Sequence, residues 1–73
     1  MVTRRKVLRS VDEVIAVVYG TGANASRRFN VSLPTVSDWR RQGFFASNTF
    51  AGMVEDMAEK NVTAPKSLWN MKD

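Results

Sequence analysis

The chain has 73 residues and contains neither cysteine nor histidine, and this absence restricts its folding more than any other feature. A domain this small buries a modest share of its surface, and many of its size use disulfides or a zinc site to make up the difference. Here both are excluded by composition, so the chain must close a single apolar core unaided. Hydrophobic residues make up 44% of the sequence and charged residues 25%, which is too apolar for a disordered segment and sufficient for one globular domain. No apolar run approaches the roughly 20 residues that cross a bilayer. Residues 1 to 10 are basic but lack the apolar stretch of a secretory signal. The expected location is the cytoplasm of a bacterial cell, with the gene belonging to the host or to a phage.

Charge is unevenly placed. Residues 1 to 41 carry eight basic against three acidic side chains, whereas residues 42 to 73 carry three basic against four acidic. A polyanion would dock on the first part. An alternative is that the excess merely keeps a solvated surface soluble.

Residues 1 to 9 hold Arg4, Arg5, Lys6 and Arg9 without apolar periodicity and are expected to form a basic, flexible arm with some order near Val7 and Leu8. Residues 10 to 73 form the domain. Ser10 with Glu13 three residues later spells a capping box. Val11, Val14, Ile15 and Val18 then share one helical face until Gly20, which predicts a first helix over 11 to 19. The valines also suit a strand, but strict alternation is missing and the cap favours helix. Thr21 and Gly22 open a second helix with Ala25, Ser26 and Phe29 inward, and Asn30 stops it because asparagine tolerates the left-handed conformation. Ser32 caps a third helix, Pro34 sits in its first turn, Val36 and Trp39 mark its buried side, and Gly43 follows its end. Ser47 or Asn48 is expected to cap a fourth helix, with Phe50, Met53, Val54 and Met57 repeating at helical spacing and Glu55, Asp56 and Glu59 facing outward. Thr63 and Pro65 signal a short fifth helix whose Leu68 and Trp69 close over the core. The expected class is all-α: a small five-helix domain with a central helix-turn-helix.

That motif joins two short helices by a tight turn, with small or apolar residues at fixed offsets. Ala25 and Ser26 let the helices cross closely, while Phe29, Val31, Val36 and Trp39 fix the crossing. Asn30 stands where a turn glycine is usual.

The string Tyr19-Gly20-Thr21-Gly22, Asn30-Val31-Ser32, Thr35-Val36-Ser37-Asp38-Trp39-Arg40-Arg41-Gln42-Gly43 resembles the helix-turn-helix of the all-helical Cro repressors of temperate phages and their YdaS-like relatives. The resemblance spans roughly residues 11 to 45. It implies the lambda repressor-like DNA-binding fold and a transcriptional repressor acting by operator occupancy. Where that family commonly has Ile-Pro in the connector, this chain has Phe45-Ala46.

With Val36 and Trp39 inward, the third helix leaves Ser32, Leu33, Thr35, Ser37, Asp38 and Arg41 for base reading. Arg41 suits guanine or a phosphate, Leu33 a thymine methyl, and Thr35 and Ser37 several bases. Asp38 accepts from a cytosine amino group or orients Arg41 or Arg40. Phosphate contacts are expected from Thr21 and Asn24 at the second helix start, from Arg27, Arg28 and Arg40, and from Arg4, Arg5 and Lys6 of the arm. The arm either enters the minor groove or stays a disordered tail. A module this small generally needs two copies, so a homodimer on a palindromic double-stranded operator is expected. Its dimer surface is open between Phe44, the fourth-helix face and the end around Trp69 and Met71.

No metal, cofactor or membrane partner is expected. Enzymatic function is not expected either, since the chain has no histidine or cysteine, Gly20 and Gly22 match neither the dinucleotide nor the phosphate-loop pattern, and the carboxylates are expected on solvent faces. A protein-interaction module, an antitoxin or inhibitor built on the same scaffold, is the alternative, using Phe44 and the acidic face of the fourth helix.

Overall fold

The computed structural model describes residues 5–72. Within them the chain is mostly helical. Helix α1, Val11–Val14, starts at Ser10, whose Oγ accepts from the Glu13 N–H at 3.1 Å. The returning bond of the box is displaced by one residue, because the Glu13 carboxylate accepts from the Arg9 N–H at 3.0 Å. The helix then widens into a π-helical segment, Ile15–Tyr19. It ends at Gly20, which has φ +84° and donates its N–H to the Ile15 carbonyl at 2.7 Å. The expected span of 11 to 19 is therefore helical throughout, but its second half has the wider turn.

Helix α2, Gly22–Phe29, is capped by Thr21, whose hydroxyl accepts from the Asn24 N–H at 3.2 Å. It closes at Asn30 in the left-handed region, φ 54° and ψ 47°, with the Val31 N–H reaching back to the Ser26 carbonyl at 3.0 Å. That six-to-one bond satisfies a carbonyl the helix end would otherwise leave free. Helix α3, Leu33–Gln42, follows after Asn30, Val31 and Ser32, capped by Ser32, carrying Pro34 in its first turn, and ending at Gly43 with φ +88°.

The connector is not solvated. Phe45 is buried, and its N–H donates to the Leu68 carbonyl at 2.6 Å. Neither Ser47 nor Asn48 caps a helix directly. A 3-10 turn, Ser47–Thr49, intervenes, with the Thr49 hydroxyl donating to the Ala46 carbonyl at 2.7 Å, and helix α4, Phe50–Glu59, follows without a side-chain cap. The end of the chain forms a second 3-10 turn, Lys66–Trp69, in place of the expected fifth helix, and it buries Leu68 and Trp69 as anticipated.

The departure from an all-helical plan lies at the N-terminal end. Strand β1, Lys6–Val7, pairs in parallel with β2, Val62–Thr63, with Lys6 opposite Val62 and Val7 opposite Thr63. The Leu8 N–H extends the contact to the Thr63 carbonyl at 2.7 Å, and the Leu8 side chain is wholly buried. The segment read as a free arm is thus docked from Lys6 onward. Leu8 joins Val14, Ile15, Phe45, Met53 and Trp69 at the centre of the core. There the Phe45 ring lies between Trp39 and Trp69, at 5.6 and 5.3 Å between centroids, and Phe50 meets Trp69 edge-on at 5.1 Å. Such aromatic pairs add about 0.5–1.5 kcal/mol each beyond area burial, a substantial aid to a core without covalent staples.

Candidate nucleic-acid interface

Helices α2 and α3 cross closely because small residues occupy the near positions. Ala25 and Ser26 are buried, and a Cβ added at Gly22 would lie 3.5 Å from Val36 Cγ1. Ser26 costs little there, since its hydroxyl donates to the Ala23 carbonyl of its own helix at 2.8 Å. On α3, Val36 and Trp39 are buried, while Phe29 and Val31 are half-buried against the core. Those residues seat α3 by one side.

The other side is uncovered. Leu33 is 54% exposed, and Ser37, Asp38, Arg40 and Arg41 are exposed with it. Leu33, Ser37 and Arg41 recur at intervals of four, which places them along one ridge. Asp38 and Arg41 form an i,i+3 ion pair on that ridge. Arg40 turns toward α1, its Nε 3.1 Å from the Asp12 carboxylate. Ser32 and Thr35 are differently employed: their hydroxyls are 2.9 Å apart, and Ser32 Oγ accepts from the Thr35 N–H at 3.4 Å. Both serve the helix start before they serve any ligand.

The phosphate candidates separate in the same way. Thr21 caps α2, and the Asn24 side chain donates to the Tyr19 carbonyl at 2.8 Å while accepting from Arg27. Arg27 remains exposed beside that helix start, and Arg5 and Lys6 are exposed near β1. Arg4 lies outside the described residues. Arg28 points elsewhere, with its Nε 3.0 Å from Asp56 Oδ2. The Tyr19 hydroxyl donates to the same oxygen at 2.6 Å. Asp56 therefore does not face outward with Glu55 and Glu59. It is drawn under α2, where Arg28 and Tyr19 satisfy it. Burial of the Tyr19 hydroxyl, then its hydrogen bond to Asp56 and that carboxylate's charge, push its pKa well above the ordinary tyrosine value, with Arg28 opposing. Its proton is held.

Of the four arginines on α2 and α3, Arg28, Arg40 and Arg41 each hold a carboxylate, whereas Arg27 is bound to a neutral amide. Neither Asp56 nor the Asp12–Arg40 pair had a local signature in the sequence, because the partners lie 28 residues apart in each case. Among the described residues, no helix is long and apolar enough to cross a membrane. No protein-family model, curated protein or solved structure matches the chain.

Proposed function

We propose that this protein is a sequence-specific, double-stranded-DNA-binding transcriptional regulator, a Cro-like repressor that occupies its operator as a homodimer in the bacterial cytoplasm. In this reading α2 and α3 are a helix-turn-helix, with α3 lying in the major groove, and the protein performs no catalysis. The observation that carries it is the two-sided character of α3: Val36 and Trp39 are buried, while the ridge of Leu33, Ser37, Asp38 and Arg41 is left open. A helix fits the groove of B-DNA only if such a ridge is free to enter it.

The side chains then divide by task. Leu33, Ser37, Asp38 and Arg41 meet base edges, and Ser32 with Thr35 shapes the start of the reading helix. Arg27, Arg5, Lys6 and the N–H groups at the start of α2 meet phosphates, which set affinity more than specificity. Arg28 is assigned to the fold. Two copies on a palindrome supply the buried surface that one copy lacks.

The test is titration onto duplexes from the promoter region beside the protein's own gene, with a scrambled duplex as control, at two salt concentrations. Preference for one duplex, weakening as salt rises, is the expected result. Arg41→Ala should lower operator affinity by about 1–3 kcal/mol or relax base preference, and unchanged binding would remove Arg41 from the reading set. Equal binding to every duplex would overturn sequence-specific regulation.

A further inference from the structure

We infer that Asp38 and Arg41 act as a unit that reads a guanine and a cytosine side by side in the major groove, Arg41 donating to guanine O6 and N7 and Asp38 accepting from the cytosine amino group. The inference rests on the DNA-binding reading and gives it a specific base content.

A carboxylate on a surface meant for a polyanion needs a reason. Asp38 lies on the exposed ridge, with its side chain 56% exposed, and its partner Arg41 is 82% exposed. A solvent-exposed pair of this kind is held weakly, so its groups are free to exchange each other for better partners. Arg40, the other cation of α3, is engaged with Asp12 and does not compete for Asp38. The two ridge groups also have opposite chemistry. Arginine only donates, and an ionised aspartate only accepts. In the major groove guanine presents two acceptors and cytosine one amino donor, whereas adenine presents one of each and thymine an acceptor beside a methyl. A guanine and a cytosine complement the donor and acceptor that α3 carries one turn apart. Opposite a guanine or a thymine, which present acceptors and no amino donor, Asp38 would be desolvated without a partner, close to phosphates that repel it. Asp38 thereby discriminates by penalising wrong sites, a mode of specificity that rests on repulsion as much as attraction.

Selection from a random-sequence duplex library tests this, using the wild type, Asp38→Asn and Arg41→Ala, each first checked for unchanged thermal unfolding. The wild type should enrich a site containing guanine and cytosine at fixed positions, and exchange of either G·C pair for A·T should weaken binding about 5- to 150-fold, as one mismatched pair does. Asp38→Asn should replace the cytosine preference by adenine, because an amide both donates and accepts, and leave the guanine. Arg41→Ala should lose the guanine preference. If a site is enriched but both variants select the same bases as wild type, the paired reading is overturned and DNA recognition stands. If no site is enriched by any of the three, DNA recognition fails and the paired reading with it.

Discussion

Asn30, Asn61 and Asn70 adopt φ of 54°, 57° and 55°, and among the described residues they are the non-glycine positions with positive φ. Asparagine is the side chain that enters the left-handed region at least cost after glycine. Asn30 closes α2 two residues before the cap of α3, so its backbone angle sets the direction in which α3 leaves. Asn30→Gly should therefore keep the urea midpoint or raise it. Asn30→Val should lower stability by about 1–2 kcal/mol, the cost of a left-handed β-branched residue, and equal midpoints for the two variants would contradict the role. The stop at Asn30 was legible because apolar residues flank it at helical offsets. Asn61 carries the same signal just past α4, where no single residue in the sequence marked the helix end, and Asn70 carries it in a stretch with no periodicity to punctuate. Tyr19 gives a second test. Its raised pKa means that folded and unfolded chains both keep the proton below about pH 10, the ordinary tyrosine value. As pH climbs further the unfolded chain ionises first, so this group's contribution declines. Tyr19→Phe, which loses the bond to Asp56, should cost about 1–2 kcal/mol near neutral pH. The difference from wild type should shrink in urea melts above about pH 10, and a constant difference would show that the hydroxyl does not titrate with unfolding.

Within α2, two adjacent arginines have different employment. Arg28 joins Asp56 and, through it, Tyr19, tying α2 and the π-helical segment to α4, whereas Arg27 lies outward beside Asn24. The sequence placed both on a helix and could not separate them, since the difference depends on a carboxylate from α4. The same limit explains the widened turn at Ile15–Tyr19. Apolar spacing over five residues suits α and π geometry alike, and the Gly20 stop serves either. The starts of α2 and α3 were readable because Thr21 and Ser32 cap them by bonds three residues long. The start of α4 was not, because the Thr49 hydroxyl bonds backward to the Ala46 carbonyl and caps no backbone N–H of the helix. If the division between the arginines holds, Arg27→Ala should leave thermal unfolding unchanged and reduce the salt slope of duplex binding by about one phosphate contact. Arg28→Ala should do the reverse, lowering stability by about 1 kcal/mol for a half-exposed pair with the slope unaltered. Salt titrations and melts of the two variants side by side decide it, and a lowered slope for Arg28→Ala would return that residue to the phosphate set.

At the scale of the molecule, the core closes only because both ends of the chain return to it. Leu8 and Trp69 are buried in the same cluster, β1 pairs with β2 near the other end of the chain, and the Phe45 N–H holds the Leu68 carbonyl. Local pattern could not reveal this. Two-residue strands have no periodicity, and a parallel pair is specified by the partner and not by its own residues. The expectation of some order near Val7 and Leu8 rested on two apolar residues after a basic stretch, which name no partner for the strand they form. For a chain without cysteine or histidine, loss of one end should be felt throughout, because the unfolded state is close in free energy. Leu8→Ala should cost about 2–5 kcal/mol, as buried leucines do, and should broaden or abolish cooperative unfolding. Lys6→Ala is the matched control, for it keeps the backbone pairing and removes an exposed charge. It should melt like wild type while binding duplexes with a shallower salt dependence. If Leu8→Ala also melts like wild type, the N-terminal segment is the loose arm its composition suggests, and its parallel pairing contributes nothing to the stability of the domain that presents α3.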